Sequence, residues 1–110
     1  MTGGAASRDR GARGEREVVQ IIRDAGWPDA HRTSRGVAQQ GHGDIEQGPA
    51  GLHIECKFTQ RTAIPAAFDQ AKRDARPLDI PSVVHRPARH EWMITLSLDA
   101  FLRLAQEAGL

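Results

Sequence analysis

The feature that most constrains this chain is the stretch Leu52–Phe58, reading Leu-His-Ile-Glu-Cys-Lys-Phe, in which apolar and polar residues alternate without a break. A period of two is the signature of a half-buried β-strand, so Leu52, Ile54, Cys56 and Phe58 are expected on one face and His53, Glu55 and Lys57 on the other. Just upstream, Gly43-Asp44-Ile45 reads as a short strand running into the turn Gln47-Gly48-Pro49-Ala50-Gly51. A hairpin there brings Asp44 across from Glu55 on the polar face. Two carboxylates about 4 Å apart repel by roughly 4 kcal/mol at an effective dielectric of about 20, so such a pair calls for a shared proton or a bound cation. Carboxylate oxygens favour Mg2+, with Mn2+ able to substitute, over softer metals.

Lys57 sharpens this reading. Only Lys57 and Lys72 among the 15 basic residues are lysines, so the chain uses arginine wherever a plain positive charge suffices. An ammonium loses its proton more readily than a guanidinium and is a compact donor able to orient a water. The plain alternative is a surface strand carrying an ordinary cross-strand ion pair.

At 110 residues the chain is expected to form one domain with a modest core. A net charge of +1 does not by itself announce a nucleic-acid partner. One cysteine permits no internal disulfide, no apolar run reaches a membrane span, and the start lacks the apolar core of a secretion signal. A cytoplasmic protein without a membrane partner is expected.

Residues 1–10 read as a flexible basic arm and 11–110 as the folded domain. Met1–Ser7 is rich in glycine and alanine, and Arg8, Arg10, Arg13 and Arg16 follow, suited to contacts with a phosphate backbone or simply solvated. A helix is expected from about Arg13 to Ala25, stopped by Gly26, with Val18, Val19, Ile22 and Ala25 as its apolar stripe and Ile21 at the margin. Glu15 falls on that inward side and Glu17 on the wet side. Ala30–Thr33 reads as a short strand. The glycine-rich loop Thr33–Gly43 leads to Asp44, with Ser34 and Arg35 suited to phosphate contacts and His42 most simply a surface residue. After Thr59–Thr62 a second helix is expected, with Pro65 in its first turn, Pro77 beyond its end and the apolar stripe Ile64, Ala67, Phe68, Ala71 and Ala75. Gln70, Lys72, Arg73 and Arg76 decorate its remainder. Ser82–Arg86 and Glu91–Leu96 read as strands, and Ser97 caps a final helix faced by Leu98, Phe101, Leu102 and Ala105. His85 and His90 lack the companions of a zinc site. The whole is an α/β arrangement, a mixed sheet flanked by helices.

The sequence Gly11-Ala-Arg-Gly-Glu15-Arg-Glu-Val-Val, then Gly43-Asp44-Ile45, then Ile54-Glu55-Cys56-Lys57, then Gln70, resembles the archaeal-type Holliday junction resolvases of the PD-(D/E)xK nuclease superfamily, which phages also encode. The likeness spans roughly residues 8 to 86. It implies a restriction-endonuclease-like fold and a homodimeric, Mg2+-dependent endonuclease that cuts branched DNA at four-way junctions, as used in recombination and repair. It further implies that Asp44, Glu55 and Glu15 bind metal with the carbonyl of Cys56, that Lys57 is the catalytic lysine, and that Arg10, Arg13, Arg16, Ser34, Arg35, Gln70, Lys72 and Arg73 contact DNA. The strand around Trp92 and the final helix depart from that pattern. Two alternatives stand beside it: a related nuclease acting on nicked, flapped or linear DNA, and a DNA-binding module of the same fold without catalysis.

Overall fold

A computed structural model describes residues 3–34, 43–58 and 63–110, with side chains from residue 10 onward. The expectations for Arg8, Arg35, His42 and Thr59–Thr62 lie outside what is described. Three helices and five short strands follow in the order α1 (Gly3–Asp24), β1 (His31–Arg32), β2 (Ile45–Glu46), β3 (Leu52–Lys57), α2 (Ile64–Asp74), β4 (Ile80–His85), β5 (Met93–Thr95) and α3 (Leu98–Glu107). The strands form one mixed sheet in sequence order. β3 and β4 run parallel, joined by the α2 crossover, and every other neighbouring pair is antiparallel.

The β2–β3 hairpin has the anticipated register, Ile45 opposite Ile54, which sets Asp44 opposite Glu55. Its turn bends through left-handed backbone at Gln47 and Gly51. Cross-strand partners share a face, so Ile45, Ile54, Cys56 and Val84 form one side of the sheet. α1 covers that side with Val18 and Val19, and Ile22, Leu52 and Trp92 close its edges. Burying each valine contributes about 1.5–3 kcal/mol. Ile21 and Ala25 are exposed, so the apolar stripe of α1 is narrower than expected.

The other side corrects the picture of a half-buried strand. His53 and Glu55 are only 3% and 4% exposed, because α2 lies over them and over Val83. Ala67 and Ala71 are the buried residues of α2, with Phe68 packed beside them. Their small side chains let the helix approach a face that already carries polar groups.

The first helix begins earlier than the expected Arg13: α1 runs continuously from Gly3. Once residues 14–24 are docked, extending a helix adds one hydrogen bond per residue without a new nucleus. The apolar face of α3 stands outside the core formed by the described residues. Ser97 caps the helix through Ala100 N–H as anticipated, and Ala100 is buried, but Leu98, Phe101 and Leu102 are exposed. α1 packs on β1 and β3, α2 on β3 and β4, and α3 makes no comparable contact among the described residues.

Candidate functional site

The hairpin, the sheet centre and the first helix bring Glu15, Asp44, Glu55 and Lys57 into one electrostatic neighbourhood. Asp44 is fixed by its backbone on both sides: its N–H donates to Ile54 O at 2.7 Å and its carbonyl accepts from Thr33 N–H at 3.0 Å. Gly43 lies so close to the backbone of Ile54 that a Cβ there would collide with the Ile54 carbonyl oxygen. That close approach, and not turn formation, is the reason for glycine before Asp44. The Asp44 carboxylate accepts from Cys56 N–H at 2.7 Å.

Burial pushes the Asp44 carboxyl up from 3.8 to about 7, and the negative charge of Glu55 adds to the effect. The Cys56 N–H and Lys57 oppose it, while Glu15 contributes a smaller upward push. Cys56 itself turns its thiol into the apolar core beneath α1, where burial, then Asp44 and Glu15, raise it to about 12. Its backbone, not its sulfur, faces the site.

The other members already have protein partners. Glu55 Oε1 lies 2.9 Å from His53 Nε2, a contact made by the tautomer with its proton on that nitrogen, and both side chains are nearly inaccessible. Glu15 is half-buried and accepts from Arg32 Nε at 2.9 Å, linking α1 to β1. Glu17 points elsewhere, to Arg86 at 3.5 Å. Lys57 donates to Gln70 Oε1 at 3.4 Å, so α2 sets the position of the ammonium.

Among the described residues no group of three or more His, Cys, Asp or Glu is arranged to hold a metal ion. The engagements of Glu55 and Glu15 explain this: each has one oxygen turned to a basic side chain. The donor chemistry nevertheless suits a hard divalent cation. An aspartate driven toward neutrality by burial and by a second carboxylate is a repulsion that a cation relieves.

The remaining candidates divide. Arg10 and Arg13 line a surface cavity together with Phe58, whereas Arg16 is exposed outside it. Ser34 is exposed at the end of the described segment. Lys72 and Arg73 are exposed on α2, and Lys72 pairs with Asp69 at 3.5 Å instead of joining the carboxylates. His85 contacts Thr95 Oγ1 at 3.0 Å, with its pKa lowered by burial, and joins no metal group.

Sequence reasoning missed three features. The His53–Glu55 contact was signalled by the same alternation that placed Glu55 beside Lys57. The Arg32–Glu15 contact spans 17 residues and had no local signal. Arg86 and Arg89 meet Arg10 and Arg13 across the same cavity, from a turn whose path the pattern did not reveal. No family model, no curated protein and no solved structure matches this chain.

Proposed function

We propose that this chain is a metal-dependent endonuclease hydrolysing DNA phosphodiesters at four-way junctions, acting as a homodimer of restriction-endonuclease-like domains. The observation that carries the reading is Asp44 opposite Glu55, its carboxyl raised to about 7, with Lys57 two residues along the same strand. The mixed five-stranded sheet flanked by helices, with α1 and α2 both packed on the strand that carries Glu55 and Lys57, is further support.

In this reading Asp44 and Glu55 hold Mg2+ or Mn2+, with Glu15 contributing from α1 once it leaves Arg32, and with the Cys56 carbonyl completing the set. The cation supplies Lewis-acid polarisation of the phosphate and acidifies a bound water. The chain's own residues do the rest. Lys57, steadied by Gln70, orients the attacking water or stabilises the charge developing on the phosphate. His53 holds the Glu55 carboxylate in one rotamer, and Cys56 N–H does the same for Asp44. The exposed apolar face of α3, which finds no cover among the described residues, is the proposed dimer surface; two sites fixed by a two-fold axis suit two symmetric cuts.

A labelled four-way junction incubated with Mg2+, beside a duplex and a nicked duplex of the same sequence, tests the proposal. Cleavage of the junction in preference to both is expected, with Ca2+ supporting binding but little cutting. Asp44→Asn and Glu55→Gln should each lower the rate on the order of 100-fold or more, since even groups that merely support metal ligands cost 10–100-fold when removed. Binding should hold or tighten, because each change deletes a negative charge facing phosphate. Full Mg2+-dependent activity in either variant refutes the site, and preferential cleavage of the nicked or linear DNA refutes junction resolution while leaving a nuclease.

A further inference from the structure

A second site, of opposite sign, is built on two of the segments that carry the carboxylates. Arg10 and Arg13 from α1 and Arg86 and Arg89 from the chain between β4 and β5 line one open cavity of about 320 Å³, with Phe58 and Pro87 in its wall. Among the described residues no acidic side chain lines it. Four like charges gathered around one cavity repel one another, and only part of that is compensated by the described residues. Arg86 pairs with Glu17 at 3.5 Å and donates through Nε to His90 O at 2.8 Å. Arg13 stands over the Phe58 ring at 5.7 Å. Arg10 and Arg89 have no ion-pair or hydrogen-bond partner among the described residues.

The sequence builds this cavity deliberately close to the carboxylates. Arg10 and Arg13 are one helical turn apart and so share a face of α1. Gly14 follows, and a Cβ there would stand 2.5 Å from Phe58 Cβ, so glycine is what lets α1 settle on the ring. Trp92 packs against the same ring, 5.4 Å away at 51°. Gly14 immediately precedes Glu15 and Phe58 immediately follows Lys57, so the cavity is built on the same two segments as the carboxylates, with Phe58 and Lys57 turned to opposite faces of the chain.

We propose that this cavity is a phosphate-binding subsite for a nucleic-acid strand. Forked guanidinium groups match phosphate oxygens, and a half-buried aromatic wall suits the sugar or base attached to that phosphate. A strand gripped here is held by segments that also carry Lys57 and Glu15, so the subsite bears on which bond along the strand reaches the carboxylates. The inference takes the identity of its ligand from the nuclease reading, but the binding stands apart from catalysis. Two sources share the required chemistry: an internal phosphodiester and a terminal phosphomonoester at a strand end.

Fluorescence anisotropy with a short 3′-labelled oligothymidylate in EDTA, where no cleavage occurs, tests it. The pair Arg10→Ala/Arg89→Ala removes two exposed groups and should leave the melting temperature unchanged. It should weaken binding by about tenfold or more and flatten the salt dependence. Arg103→Ala, one charge deleted on α3, is the control and should have little effect; each single pocket variant should exceed it. Tighter binding of the 5′-phosphorylated oligomer assigns the subsite to strand ends, and equal binding of the 5′-hydroxyl form assigns it to the backbone. Unchanged affinity in the double variant, or as large a loss in Arg103→Ala as in the single pocket variants, overturns the proposal. Because the readout needs no metal, failure of junction cleavage leaves this result standing, and failure here leaves the carboxylates' role intact.

Discussion

Asp44 is the residue on which the chemistry and the stability of this protein meet. Its folded-state pKa of about 7 lies above the ordinary 3.8, the reverse of a carboxylate held by a cationic partner. Between those two values the unfolded chain has released the proton that the folded chain retains. Stability therefore falls as pH rises through that window, and above about pH 7 the full cost of the buried charge is present. Asp44→Asn keeps an oxygen for the Cys56 N–H and abolishes that cost. In EDTA the variant should melt higher than wild type by several degrees at pH 8, with the difference shrinking steadily toward pH 4. About 4–8 °C accompanies each kcal/mol in a domain of this size. Thermal melts across that range decide the matter; a gap that does not vary with pH means that Asp44 is not carrying this burden. Adding Mg2+ at pH 8 should close the gap from the wild-type side, because cation binding and proton loss are linked at the same oxygens.

At the scale of elements, helical phase makes the sharpest claim. Glu15 and Glu17 differ by two positions on α1, yet one meets Arg32 beside Asp44 and the other meets Arg86. Glu15→Gln should cost on the order of 100-fold in cleavage rate and Glu17→Gln little, measured on the same junction substrate. Equal losses mean that α1 does not present Glu15 to the site. The phase of this helix and the register of the hairpin were both legible in the sequence, because each follows from a local period: Val18, Val19 and Ile22 in one case, Leu52 to Phe58 in the other. Coverage was not. Alternation reports which residues share a face, not what lies on it, so it places His53 and Glu55 on one polar face without showing that α2 lays Ala67 and Ala71 over them. The Arg32–Glu15 contact and the four-arginine cavity depend on where separate segments return in space, for which no spacing rule exists. The face of α3 was open for a related reason: amphipathicity declares that a partner is needed, without saying whether the partner is in the same chain.

For the whole molecule, the exposed face of α3 is the feature to be explained. Leu98, Phe101 and Leu102 are 70%, 53% and 49% exposed, an apolar surface of a kind that monomers seldom leave uncovered. The proposed dimer covers it. Sedimentation equilibrium at micromolar concentration should give twice the chain mass of 12.0 kDa, and Phe101→Glu should weaken association by about tenfold or more while leaving the melting transition of the domain in place. A wild-type chain that stays at the single mass refutes the dimer. The centre of the sheet has a quieter consequence. Cys56 is the sole cysteine, sealed beneath α1, its thiol held at about 12. In the closed molecule it is chemically silent, since thiol reagents need both access and a thiolate. Any labelling of this protein is therefore a record of the moments when β3 parts from its neighbours. The strand that carries Glu55 and Lys57 thus keeps a count of its own openings, and a ligand that clasps Asp44 and Glu55 together lengthens the interval between them.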